Sequence, residues 1–277
     1  CLIRKFLLGK TAAKSYRLNS LADFLYNTFI RFDLGTSYLT GAPVSAEIAS
    51  RLPRTLTLGI ASMVLAFGIG IPLGVTAAVH QNGWGDRISM ILGVSIPTFW
   101  LAMLMVLLFS LKLRWFPASG IGGWEYYVLP TVSLCFGGLA TQARQSRSSM
   151  LEVIRSDYVV TARAKGLSQR EVIFKHALPN ALNPIITLAG NNLAVIFGGS
   201  VVIENVFSFP GIGQYMINAI NQRDYPIVRG CVVMLAVVFA VIMLLVDLCY
   251  AFNDPRIKSR YVNTGKKKKA AVAKEQV

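Results

Sequence analysis

The sequence predicts an all-α, polytopic membrane protein, and three observations carry that prediction. Five apolar runs, at 55–79, 88–111, 126–143, 177–203 and 230–246, contain no Asp, Glu, Lys or Arg. Hydrophobic residues make up 54% of the 277 and charged residues only 15%, where a soluble domain carries about 25% charge. What charge there is lies between the runs, and the mean hydropathy is +0.52. At about 1.5 Å per residue, such runs match a hydrocarbon core about 30 Å thick. A charge at a helix centre costs about 2.5–3.5 kcal/mol on insertion, so five clean runs point to five spans.

Residues 1–54 are mixed and moderately basic, and no apolar stretch among them reaches span length. Patches such as Leu21-Ala22-Asp23-Phe24-Leu25-Tyr26 predict short amphipathic helices. Asp33-Leu34-Gly35-Thr36-Ser37 reads as a turn. The first run holds Gly68, Gly70 and Gly74. The Gly70-xxx-Gly74 spacing permits close helix approach. Gly68-x-Gly70 lies mid-run with no preceding strand, so a dinucleotide loop is excluded. The second run is clean, and the third is shorter and less hydrophobic. The fourth carries Asn191 and Asn192, which either hydrogen-bond between helices or line a pathway. Residues 204–222 are too polar to face lipid and predict a partly re-entrant segment or a short external helix. The fifth run extends towards Phe252. Beyond it, residues 255–277 form a basic tail whose lysines at 266–269 are solvated or face lipid headgroups.

Lys and Arg set the orientation. Residues 144–182 hold seven and the tail after Asp254 holds eight, against two each for 112–125 and 204–229. This places 144–182 and the C-terminus in the cytoplasm and 1–54 outside, although 1–54 also carries eight basic residues. The net charge of +15 therefore reflects cytoplasmic segments rather than nucleic-acid binding. Cys1, Cys135, Cys231 and Cys249 have no CxxC spacing and read as small buried hydrophobes. His80 and His176 lie outside the runs and far apart, so no metal site is expected. No catalytic residues are expected either, because HExxH, GxSxG and paired intramembrane carboxylates are missing. No GxxxxGK[ST] phosphate loop occurs. Glu204 and Asp247 stand only at run ends, which argues against an ion-coupled secondary transporter.

Residues 144–182 are the most informative part of the chain. Leu151, Ile154, Tyr158 and Ala162 recur at helical spacing and predict one apolar stripe. Ser156 or Asp157 is placed to cap a helix start. Gly166 is placed just past a helix end, where a left-handed residue is needed. Ser168-Gln169-Arg170-Glu171 matches a capping box. Pro179 then predicts an end or kink before the fourth span. Helix–Gly–helix spacing also fits a DNA-binding helix-turn-helix. Both ends are tied to spans here, which would press a duplex against anionic lipid. The pattern reads instead as a docking element for a soluble partner.

The residues from Tyr158 through Ala162, Arg163, Lys165 and Gly166 to Leu167, followed by His176-Ala177-Leu178-Pro179, resemble the EAA loop of ABC importer permeases. In that pattern an Ala precedes a Gly by four residues and a Leu-Pro follows twelve residues later. Ala162, Gly166, Leu178 and Pro179 occupy those positions. Val160 and His176 depart from the pattern's glutamate and isoleucine, as in the subfamily for oligopeptides, dipeptides and nickel. Arg51-Leu52-Pro53, Ser95-Ile96-Pro97, Phe116-Pro117-Ala118, Phe209-Pro210-Gly211, Asp224-Tyr225-Pro226 and Asp254-Pro255-Arg256 are similar to that subfamily's landmarks in order and spacing.

The resemblance implies a type I ABC importer transmembrane domain in a prokaryotic inner membrane. It implies six spans where five are visible, the family's first span being absent from this sequence. That missing span would explain how 1–54 reach the outside. It further implies an extracytoplasmic segment 1–54, a permease core 55–254 and a cytoplasmic tail 255–277. Such a subunit is non-catalytic and carries peptides, with nickel or another small solute as the alternative. Its partners would be a second homologous permease, an extracytoplasmic substrate-binding protein, membrane lipid and two ATPases that bind ATP and Mg in its stead. Tyr158, Ala162 and Leu167 would enter a cleft on an ATPase, with Arg163 and Lys165 pairing acidic residues at its rim.

Overall fold

The computed structural model describes residues 26, 28, 33–81, 83 and 96–253. Among them the architecture is helical. Helix α1 spans Val44–Val79 and α2 Thr98–Met105, continued by a π-helical stretch Val106–Lys112. Helix α3 spans Glu125–Ile154, α4 Asp157–Ala164 and α5 Gln169–Glu171. A second π-helical stretch, Val172–Ala177, leads into α6, Leu178–Val206. Helix α7, Ile212–Asn221, and α8, Tyr225–Asn253, complete the order.

Four of the five runs fall within long helices. The second run, 88–111, is described only from 96, and its helix begins at Thr98. By length and apolarity, Val44–Val79 and Tyr225–Val246 qualify as spans, while Thr98–Lys112 and Ile196–Val206 are shorter apolar helices. Helix α3 is 30 residues long but more polar, because it is the centre of the bundle. Its most extensive contacts are with α1, followed by α6 and α2. A helix surrounded by helices meets little lipid and can hold Ser133, Gln142 and Ser146 in its buried face.

Two expected boundaries shift. The boundary at 54 falls inside α1, which begins at Val44 with an ion pair between Arg51 and Glu47 one turn apart. Charges do not stop a helix that has reached water. For the same reason α3 runs past Ala143 through Arg144 and Arg147 to Ile154, so the third apolar run and the start of the 144–182 segment share one helix.

The glycine spacing in α1 works as expected. A Cβ on Gly74 would lie 2.4 Å from the Ala143 carbonyl oxygen and 2.6 Å from Ser146 Cβ; one on Gly70 would lie 3.0 Å from the Leu139 oxygen. The α1 and α3 backbones touch along this stripe.

Three apolar clusters stack along the bundle. At the end carrying 144–182, Val75, Ala78, Met150, Val159, Ala162, Val172, Ile173, Ala177 and Ile185 pack together. Leu58, Ala102, Leu134, Ile196, Ile203 and Phe207 form the middle. Leu34, Val44, Ile48, Ile212, Ile227 and Cys231 close the opposite end. Cys135 and Cys231 are buried free thiols within this packing. The predicted turn at 33–37 is present, with Gly35 at φ 88° and its amide donating to Asp33 Oδ1 at 2.8 Å. It is pinned to the start of α8: Ser37 Oγ donates to Asp224 Oδ2 at 2.5 Å and the Tyr38 amide to Oδ1 at 3.2 Å. Residues 204–222 form the end of α6, a turn and α7, a ten-residue helix. The predicted helices before Tyr26 and the tail 255–277 lie outside the described residues.

Candidate functional site: an exposed helical elbow between α3 and α6

The elbow begins where α3 stops. Ser156 takes the extended N-cap conformation (φ −74°, ψ 150°), but its hydroxyl donates back to the Val153 carbonyl at 2.6 Å instead of capping α4. The expected cap bond is therefore not made. One helical stripe through Leu151, Ile154, Tyr158 and Ala162 is not made either, because the chain breaks between α3 and α4. The break rotates α4, so Val159 and Ala162 face the bundle and Tyr158 faces out.

Helix α4 ends as the sequence demands. Gly166 adopts φ 77°, in the left-handed region, and its amide donates to the Arg163 carbonyl at 3.0 Å. Two residues on, the capping box is complete. The Glu171 amide donates to Ser168 Oγ at 3.3 Å, and the Ser168 amide donates to Glu171 Oε2 at 3.3 Å. Hydrogen bonding from Ser168, aided by Lys175 with Nζ 3.4 Å from Oε1, holds the Glu171 carboxyl below its ordinary range. Pro179 does not end the helix. The widened π turn at Val172–Ala177 precedes it and accommodates the carbonyl that a proline ring crowds in a regular helix.

The elbow has two faces. The inner one, Val159, Ala162, Val172, Ile173 and Ala177, is buried against Val75 and Ala78 of α1 and Met150 of α3. Ala162 is only 6% exposed, so it supports α4 from beneath and offers no surface to another molecule. The residue expected to enter a partner's cleft is thus turned towards the bundle in this structure. Leu178 is half-buried on the same cluster, and Pro179 is exposed at its edge. The outer face exposes Tyr158 (45%), Val160 (54%), Leu167 (37%) and Phe174 (56%), interspersed with exposed Arg163 and Lys165. Arg170, Glu171, Phe174 and Lys175 line a shallow groove beside it. Large apolar side chains edged by cations are a surface built for contact. Val160 and Phe174 escaped sequence reading. Their signal was present, because they fall between the residues that pack inward.

Asn192 lies elsewhere, in the middle of the bundle. Its Nδ2 donates to Gln142 Oε1 at 3.0 Å, and Gln142 Nε2 donates to Ser146 Oγ at 3.4 Å. Both Asn192 and Gln142 are buried, which favours an interhelical role for Asn192 over pathway lining. The side chain of Asn191 lies outside the described residues. Asn192→Leu is expected to strand the buried Gln142 oxygen and cost about 1–3 kcal/mol. Thermal melting of the purified subunit measures this, and an unchanged melt would contradict a structural role.

Among known proteins, residues 70–259 match the model for binding-protein-dependent transport system inner membrane components. The glutathione transport system permease protein GsiC of Salmonella typhi is 42% identical over 229 residues, 82% of this chain and 75% of that one. A putative peptide transport system permease protein of Brucella abortus is 42% identical over 249 residues, 86% and 79% of the two chains. Among solved structures, an inward-facing form of the MetNI methionine ABC transporter superposes with a TM-score of 0.62 at 22% identity, covering 75% of this chain and 96% of that one.

Proposed function

The chain belongs to the family of binding-protein-dependent transport system inner membrane components, and on that premise we propose that it and a second permease form the membrane pathway of a peptide importer driven by two ATPase subunits. The carrying observation is the elbow. An apolar, cation-edged face stands clear of the bundle on a fully buried base and runs directly into α6. A docked motor that shifts α4 must therefore shift the helices packed beneath it.

Tyr158, Leu167, Arg163 and Lys165, joined by Val160 and Phe174, form the contact. Gly166 makes the turn, and Ala162, Leu178 and Pro179 set its foundation. ATP and Mg are held by the motor subunits. The relatives named for glutathione and peptide transport support a peptide as substrate.

The elbow end is cytoplasmic in this reading. Helix α8 starts beside Val44 at the opposite end and runs 29 residues towards the elbow end, which favours a cytoplasmic C-terminus and tail. The opposite end, with 33–43 and α7, faces outward to a substrate-binding protein. In cells, peptide uptake is expected to stop on ATP depletion and to continue with an uncoupler when ATP is maintained. Uptake with the reverse sensitivity would refute the ATP-driven reading. Co-purification with two ATPases and a second permease tests the assembly.

A further inference from the structure

Glu204 stands at the outer end of α6 with 0% exposure. Its Oε2 accepts the Gly213 amide at 2.7 Å and the Gln214 amide at 3.2 Å, two of the free donors in the first turn of α7. Gly211 and Gly213 make room for it: a Cβ on either would lie 2.4 Å and 2.9 Å from the carboxyl group. Helix α1 holds the same element from its other side. Thr55 Oγ1 accepts the Ile212 amide at 2.9 Å, Arg54 Nη1 donates to the Pro210 carbonyl at 3.3 Å, and the Arg51 guanidinium lies 4.2 Å from the Tyr215 ring centroid. Helix α6 itself is one helix of 29 residues, and it starts where the elbow ends.

We propose that Glu204 is the joint by which α6 carries motion between the two membrane faces: its carboxyl group locks α7 to the outer tip of the helix whose inner tip leaves the elbow. Helix α7 and the tip of α6 then move as one body, and the outer surface around exposed Ile220 follows the elbow without a contact of its own to any motor. Glu204 is a positioning residue. Its part in transport rests on the permease reading, but the lock itself can be measured without it.

The test is amide exchange at Gly213 and Gln214, read by mass spectrometry in the reconstituted complex without nucleotide and after trapping with ATP and vanadate. In the native protein both amides are expected to stay equally protected in the two states, because the lock never opens. Glu204→Gln keeps the volume but leaves one oxygen and an NH2 where the two carboxyl oxygens stood, so exchange is expected to quicken about tenfold in both states. Glu204→Asp is expected to recover part of that protection, which volume alone would not do. Tenfold or greater deprotection of the native amides on trapping overturns the proposal, as does unchanged exchange in Glu204→Gln. If that variant fails to assemble, the native two-state comparison alone decides. Failure of the permease reading shows separately, as absent ATP hydrolysis by the native complex, while exchange in the isolated subunit still reports whether Glu204 holds α7.

Discussion

Gly74→Leu is expected to leave little folded protein. The close approach of α1 and α3 has no slack at this position. The atoms a side chain would strike are the Ala143 carbonyl at 2.4 Å, Ser146 Cβ at 2.6 Å and the Arg147 amide nitrogen at 2.9 Å. Two of these are backbone, so no rotamer change relieves the clash, and the helices must separate. Overpacking costs about 1–3 kcal/mol where neighbours can adjust. Here the loss extends to the most extensive helix pair in the bundle and should reach the upper end of that range or beyond. The measurement is the fraction of monodisperse subunit in detergent and its melting temperature. Gly68→Ala is the control, since a Cβ there meets nothing within 4 Å. Equal melting of Gly74→Leu and the native protein would show that α1 and α3 do not meet as described.

Gly166→Val is expected to do the opposite: a sound subunit that no longer responds. A Cβ on Gly166 meets nothing within 4 Å, so there is no clash. The penalty is in the backbone. A left-handed φ of 77° costs an L-residue about 1–2 kcal/mol and a β-branched one more. Helix α4 relieves that strain by unwinding or tilting, which breaks up the Tyr158–Leu167 surface while the buried base stays in place. Insertion and melting should match the native subunit. Substrate-stimulated ATP turnover of the complex should fall about tenfold, within the usual coupling range of about 1–3 kcal/mol. Gly166→Asn, which tolerates the left-handed conformation, should lie between. Full stimulation in Gly166→Val would remove the elbow from the coupling path.

The sequence exposed what depends on neighbours a few residues away. Gly166 and the Ser168–Glu171 box are decided by bonds spanning three residues, and both formed as expected. The glycine stripe at Gly70 and Gly74 needs only helical spacing to be recognised. Tertiary partners were harder to see. The eight-residue α4 offers several apolar stripes, and only packing against Val75 and Met150 selects Val159 with Ala162 over Tyr158. Glu204 looked like a charge at the end of a span. Its burial depends on amides supplied by a separate helix after a turn, and composition does not reveal such donors. The Asp33–Ser37 turn and the Asp224–Pro226 landmark stand far apart in the chain, and the Ser37–Asp224 bond is what unites them.

The π-helical stretch at Val172–Ala177 sets a phase as well as easing a proline. A π turn is an ordinary helical turn holding one surplus residue. Deleting one residue between Val172 and Ala177 would let the helix relax to regular winding with its two flanks nearly in phase, whereas deleting a second would swing everything upstream by about 100°. Val159 and Ala162 would then revolve away from their seat, and the Tyr158 side would turn towards the bilayer. The length of this six-residue stretch is thus a timing mark, fixing which way the handle points relative to the shaft it turns.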